Sequence, residues 1–427
     1  MPKIVLIGVG SVCFGAGTIG DLMYFRNDLA GSTIGLVDTD AEKLELMKNL
    51  ADTMNRDAGL PFKIEASMER REVLPGADFV VTSPAIKREE LWKRDWDILK
   101  AAGIKQTYGE NGGPGSLFLT LRNVPLLLSI FKDVEELAPH ATVINFTNPE
   151  ARICMAIDRY TSLKFVGLCH GIHNAYGTVE YILGIPREDL DIKAAGINHF
   201  TWIYDVRRKS TGLDIYDDFR SKLSTMPDDF EPISRRLYNA YGMYPTIGDH
   251  HLAEFISFGW EFQGLHGRDF VKQMAEKTEL LEWLRGVKAG TRHIEEHVQG
   301  RTSESIADIV LAMTKGLNHY EISLDIRNNG CIPNLPEDAI VEVPGVVSGD
   351  GVRGLKMSPL PEGIAIMARQ QVAVQGLSVE AAVKGDKKLA LQAMLLDPVV
   401  DNYSVCEKVL DKLLDADREN ISPEFFR

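Results

Sequence analysis

The chain opens on Ile4-Val5-Leu6-Ile7-Gly8-Val9-Gly10-Ser11, an apolar run that ends in two glycines one residue apart. A run this short, unalternated and closed by a glycine turn reads as the first strand of a parallel sheet, with a helix to follow. Gly8 permits the tight turn. Gly10 lets the backbone approach a pyrophosphate at the N-terminus of that helix. The third glycine of the dinucleotide fingerprint would fall at position 13, where Cys13 stands, so the turn is GxGS. An ordinary strand–helix turn is the plain alternative. A signal peptide is a poorer reading, because Gly8, Gly10 and Ser11 interrupt the apolar run too early.

The pattern that follows supports the strand. Short apolar runs recur at Thr33–Val37, Asp78–Thr82 and Thr142–Phe146, with helical spacing over Asp40–Met54 and Leu121–Leu137 between them. This alternation predicts a Rossmann-like, doubly wound α/β domain over residues 1–170. Lys164–Leu168 and Ile192–Ala195 read as further strands. After them come helical stretches at Pro232–Tyr241, Phe270–Val287, Ser303–Asn318 and Pro361–Val374, with β-rich segments near Glu321–Leu324 and Ala339–Val347. Residues 171–427 are therefore expected to form a larger α+β domain that carries substrate and metal contacts and the oligomer interface. Asp38 ends the second apolar run, 28 residues after Gly10. An acid there accepts hydrogen bonds from the adenosine ribose and disfavours a 2′-phosphate, which points to NAD. It equally suits the start of the helix that follows.

Composition narrows the function. In 427 residues, 47 basic and 61 acidic side chains give a formal charge of −14. That balance argues against nucleic acid and anionic membranes as partners. The five cysteines are scattered and contain no CxxC pair, which suits a reducing, cytoplasmic setting. No unbroken apolar stretch approaches the length of a membrane span.

Four segments are unusually polar for their positions: Asn145-Phe146-Thr147-Asn148-Pro149, Gly167-Leu168-Cys169-His170-Gly171, Gly196-Ile197-Asn198-His199-Phe200 and Gly248-Asp249-His250-His251. Three follow apolar runs, and in open α/β sheets ligands bind beyond the carboxyl ends of the strands. Cys169 and His199 are good ligands for a first-row metal. Taken singly, each is as readily a buried structural residue.

These segments, together with the GxGS turn, Asp38, Gly112-Gly113-Pro114-Gly115, Arg327-Asn328-Asn329-Gly330, Asn334-Leu335-Pro336, Val341-Glu342-Val343-Pro344, Gly385-Asp386 and Asp397-Pro398, occur in one order along nearly the whole chain. That ordered set resembles glycoside hydrolase family 4, the NAD- and divalent-metal-dependent glycosidases. The resemblance implies NAD at Gly8, Gly10, Ser11 and Asp38, and Mn²⁺, or another divalent metal, on Cys169 and His199. It implies substrate contacts from Asn148 and Glu110. His170 follows the metal cysteine, where members acting on 6-phosphosugars carry Asp. With Asp249 it resembles the branch acting on non-phosphorylated sugars, in which Asp249 matches the base and His170 the proton donor.

The implied reaction is NAD-mediated oxidation at C3 of the sugar, deprotonation at C2, elimination, water addition and return of the hydride. The substrate is a small glycoside or oligosaccharide. The segments around His199 and Asp249 resemble the α-galacturonidase subgroup most, with α-galactosidase, α-glucosidase and α-glucuronidase as alternatives. A homodimer or homotetramer is expected. A net NAD-dependent dehydrogenase and a non-catalytic sensor are the competing classes. The first needs no Cys169–His199 pair, and the second would be expected to have lost one of Cys169, His199 and Asp249.

Overall fold

The computed structural model describes residues 1–169, 171–298 and 300–427, with the side chains of all of these except Val12 and Cys13. Among the described residues, eleven strands form one sheet. They are β1 Lys3–Ile7, β2 Thr33–Val37, β3 Lys63–Ser67, β4 Phe79–Thr82, β5 Thr142–Asn145, β6 Lys164–Gly167, β7 Leu190–Ile197, β8 Phe200–Arg208, β9 His319–Arg327, β10 Ile340–Ser348 and β11 Gly351–Gly354. Their order across the sheet is β3-β2-β1-β4-β5-β6-β9-β10-β7-β8, with β11 beside β10.

Strands β1 to β6 pair in parallel, and β1 sits between β2 and β4. The chain thus reverses its direction of winding at β1, where an open sheet leaves a crevice beyond its strand ends. β9 then joins β6 antiparallel, with Gly167 opposite Asp325. The second half therefore extends the first sheet instead of building its own.

The core crosses the halves as well. Val379, Ala381, Leu410 and Leu413, from the last helices, share one apolar cluster with Val5, Phe118 and Leu121. Strand β3 went unread because Lys63-Ile64-Glu65-Ala66-Ser67 is short, polar and at the sheet edge, where half-exposed residues are tolerated.

The helix Gly113–Leu137 organises the site side of the molecule. It is long and apolar enough to cross a bilayer, with a mean hydropathy of 1.3, which corrects the expectation that no such segment exists. Since 78% of that stretch is buried, it is a core helix of this fold. Its Arg122 is fully buried and pairs through Nη1 with Asp95 at 2.7 Å and with Asp417. Arg94 bridges the same two acids at 2.8 and 3.0 Å. Two buried carboxylates are tolerable here because each faces two guanidinium groups. Arg122→Ala leaves them half-compensated. We expect a loss of about 3–5 kcal/mol of stability, read as a lower urea midpoint; a loss under about 1 kcal/mol would contradict the role of this network.

Candidate functional site

The glycine turn is held by close approaches. Gly8 has φ +85°, and a Cβ there would lie 2.6 Å from the backbone nitrogen of Pro84. Gly15, in the helix Val12–Tyr24, has no room for a side chain either: a Cβ would meet the Val9 carbonyl at 2.2 Å. Gly15 thus supplies the tight helix–turn packing expected of a glycine at position 13. The carboxylate of Asp38 closes the turn, accepting the Gly10 N–H at 2.7 Å and the Asp40 N–H at 2.9 Å. Ser11 begins the helix, its carbonyl accepting the Gly15 N–H at 2.8 Å while its side chain makes no cap bond.

A cavity of about 370 Å³ is lined by Phe14 of the helix that follows this turn, but not by Gly8, Gly10, Ser11 or Asp38. Phe146, Asn148 and Glu150 reach it from beyond β5, Leu168 and Cys169 from beyond β6, and His199 from the β7–β8 hairpin. The strand-end segments singled out in the sequence therefore converge on one space.

His199 occupies a two-residue turn, since Ile197 pairs with Phe200. Its φ of +60° is left-handed, a conformation that costs a residue with a Cβ about 1 kcal/mol. Such strain fits a residue kept for its imidazole. Nδ1 lies 3.0 Å from the Asn111 amide. Nδ2 is the amide atom placed there and Oδ1 has no partner; with the amide turned over, Oδ1 would accept Nδ1–H and leave the Nε2 lone pair available. Cys169 Sγ accepts the Gly171 N–H at 3.3 Å, at the start of the helix Gly171–Leu183. Burial pushes its thiol well up, and the carboxylates of Glu342, Glu150 and Asp325 push it further. These three acids are buried around Asn198, whose Nδ2 lies 3.2–3.4 Å from each.

The opposite wall is a chain of alternating charges. Glu110 is buried between Arg88, which donates to Oε1, and Arg268, 3.5 Å from Oε2. Asn148 also reaches Oε1, at 3.3 Å. Burial alone would raise Glu110, but Arg88 and, less strongly, His251 and Arg268 hold it down at about 2. Arg88 and Arg268 both lie over the Trp92 ring, and Arg268 also over Tyr108. Lys277 pairs with Glu89 at 2.5 Å. Arg268 carries a buried Nε with no partner.

His251 joins the two walls. Its ring meets His199 edge-on, with centroids 4.4 Å apart, and Nδ1 lies 2.6 Å from the buried carboxylate of Glu254. His199, His251 and Glu254 are the group of possible metal donors that lie close together among the described residues. Burial lowers His199 to about 3 and His251 to about 4, so both rings are neutral near pH 7. Burial and the nearby Glu110 raise Glu254 to about 7, against the backbone amides that hold it down.

Comparison with known proteins now bears on this constellation. Residues 3–185 match the family 4 glycosyl hydrolase model, and residues 194–400 match the C-terminal domain of that family. The chain belongs to glycosyl hydrolase family 4. An α-glucosidase of Erwinia rhapontici is 31% identical, covering 96% of this chain and 97% of its own. An α-galacturonidase of Thermoanaerobacterium saccharolyticum is 28% identical, covering 93% and 91%. The 6-phospho-β-glucosidase of Thermotoga maritima, solved with manganese, NAD⁺ and glucose-6-phosphate, superposes with a TM-score of 0.83. It covers 99% of this chain and 100% of that one, and at 24% identity it shows the common fold.

Within this family-4 fold the residues named from the sequence divide. Cys169, His199, Asn148 and Glu110 all line the cavity. His170 lies outside the described residues. Asp249 is not brought to the cavity lining. Its carboxylate caps the helix Pro232–Tyr241, accepting the Ile233 N–H at 2.6 Å and the Ser234 N–H and hydroxyl at 2.8 and 2.6 Å. Arg292 and His293 do not line the cavity, and Arg292 pairs with Glu296 at 2.6 Å. The cavity's cations come instead from Arg88, Arg268 and Lys277, which no motif marks. Because Asp249 acts here as a cap, Asp249→Ala is expected to cost about 1–2 kcal/mol of stability, measured by urea unfolding; an unchanged midpoint would show that the cap contributes nothing.

Proposed function

We propose that this chain is an NAD- and Mn²⁺-dependent glycosidase that cleaves a non-phosphorylated α-glycoside with a carboxylate at C6, an α-galacturonide. One observation carries the reading: a single cavity joins Phe14, beside the glycine turn, to the Cys169–His199 pair and to Arg88 and Arg268. The donor set fits a divalent cation. Cys169 and His199 line the same cavity, Glu342, Glu150 and Asp325 press on the Cys169 thiol, and a cation beside it would stabilise the thiolate. The turn at Gly8, Gly10 and Ser11, at the head of the first helix, would hold the NAD pyrophosphate and Asp38 the adenosine ribose, in place of the bond that Asp38 now accepts from the Gly10 N–H.

Bound NAD⁺ would supply a hydride acceptor and a bound Mn²⁺ a Lewis acid, the chemistry that would make the proton at C2 of the sugar acidic. Cys169 and His199 would hold the metal. Sequence resemblance gave the base role to Asp249, but its carboxylate is filled by three donors outside the cavity. His251 fits better. It is neutral, lines the cavity, and has Nδ1 engaged by Glu254, so Nε2 takes the C2 proton. His170 remains the donor to the leaving oxygen on sequence grounds. Asn148 and Glu110 face the sugar. Such a cycle returns NAD to its starting state and needs a reduced Cys169, which suits the cytoplasm.

Chelation is expected to abolish turnover and Mn²⁺ under reducing conditions to restore it, while Cys169→Ser and His199→Ala stay inactive and bind Mn²⁺ at least tenfold more weakly. Turnover in D₂O is expected to place deuterium at C2 of the product sugar without NADH accumulating. Stoichiometric NADH would favour a dehydrogenase. Full activity of Cys169→Ser in metal-free buffer would remove the metal from the mechanism.

The C6 carboxylate rests on Arg268. Its guanidinium lines the cavity and meets Glu110 only at 3.5 Å, through Nη1. That leaves donors for a second carboxylate. We expect an α-galacturonide to exceed the matching α-galactoside in kcat/KM by about 10- to 150-fold, or ~1.5–3 kcal/mol. Arg268→Met is expected to erase that preference. One observation favours a neutral sugar instead: both Glu110 oxygens already face arginines. A wild-type preference for the galactoside would decide for it.

A further inference from the structure

Glu254 has no step in the reaction above, yet three backbone donors and one imidazole nitrogen converge on its buried carboxylate. Oε2 accepts the backbone N–H groups of Glu110 at 2.6 Å, Asn111 at 2.8 Å and Gly112 at 3.1 Å. Oε1 lies 2.6 Å from His251 Nδ1. The two segments are in backbone contact, since a Cβ on Gly112 would fall 2.5 Å from the Glu254 carbonyl oxygen. Three N–H donors fix Oε2 as an acceptor and fix the plane of the carboxylate with it. Three amide donors favour the ionised carboxylate, and in that form Oε1 is an acceptor too, so the ring proton belongs on Nδ1 and the Nε2 lone pair is free.

We propose that Glu254 is a positioning residue that sets the tautomer of His251 and, through the three amides, the placement of the loop bearing Glu110 and Asn111. This rests on the reading of His251 as the base. The consequence reaches both walls. Asn111 contacts His199, and Glu110 sits between Arg88 and Arg268. One carboxylate therefore references the base, the metal histidine and the sugar-facing acid to one another. A merely structural clamp would need the amides but not the imidazole.

The distinguishing variant is Glu254→Gln. Its Oε1 can keep the amide bonds, but its NH₂ then faces His251 and forces the ring proton to Nε2. In ¹⁵N-histidine-labelled, metal-free protein, one of the ten histidines, assigned by its loss in His251→Ala, is expected to be Nδ1-protonated in the wild type and Nε2-protonated in Glu254→Gln. In the loaded enzyme, kcat and C2 exchange in D₂O are expected to fall together by about 10²–10⁴-fold, with KM and NAD affinity within about threefold. Added to His251→Ala, Glu254→Gln should cost nothing further.

An Nε2-protonated His251 in the wild type overturns the proposal without any variant. So does a Glu254→Gln enzyme that keeps more than a third of kcat, or a loss that multiplies with that of His251→Ala. If His251→Ala itself turns over normally, the base reading fails. If it is inactive while Glu254→Gln is fully active, the base stands and the positioning role fails.

Discussion

Four consecutive backbone N–H groups, from Glu110 to Gly113, have no strand or helix carbonyl to bond. Left unpaired inside the protein, each would cost about 1–3 kcal/mol. Carboxylates from remote parts of the chain take all four: Glu254 the first three, and Asp397 the fourth at 3.0 Å. The loop cannot form until residues far along the chain have arrived. Once they have, it begins the Gly113–Leu137 helix at a fixed point. That helix is in turn locked by Arg122 to Asp95 and Asp417. Buried carboxylates thus anchor both ends of this run, Glu254 and Asp397 the loop, and Asp95 and Asp417 the helix.

This dependence explains which parts of the protein could be read from its sequence. Strands β1 and β2 and the glycine turn are local: four or five apolar residues and a turn, buried on both faces, leave little choice. The meeting of Cys169, Asn148 and His199 follows from the rule that strand ends gather ligands. Asp249 could not be read this way. A carboxylate two residues before His251 looks equally suited to catalysis and to capping, and its bonds to the Ile233 and Ser234 N–H groups form only in the fold.

Arg88 and Arg268 sit in ordinary helical and loop sequence, and their role comes from Glu110, which lies between them. Gly15 was hidden by a displaced spacing. Its signal was available: a glycine in the first turns of the first helix, where helix propensity alone would disfavour it. Strand β8 was missed for another reason. Phe200–Arg208 follows β7 after only two residues, and the turn is an Asn-His pair, not the glycine-bearing pair that marks a hairpin.

The unbroken sheet has a mechanical consequence. Because β6 pairs directly with β9, the nucleotide half and the sugar half share one hydrogen-bonded plane and one apolar core. Hinge motion of one half against the other would shear that plane. Enzymes that must exchange a spent cofactor every turnover commonly rely on such opening and closing. In the cycle proposed above NAD would be regenerated in place, so a cleft built on one continuous sheet would not have to open for it at each turnover.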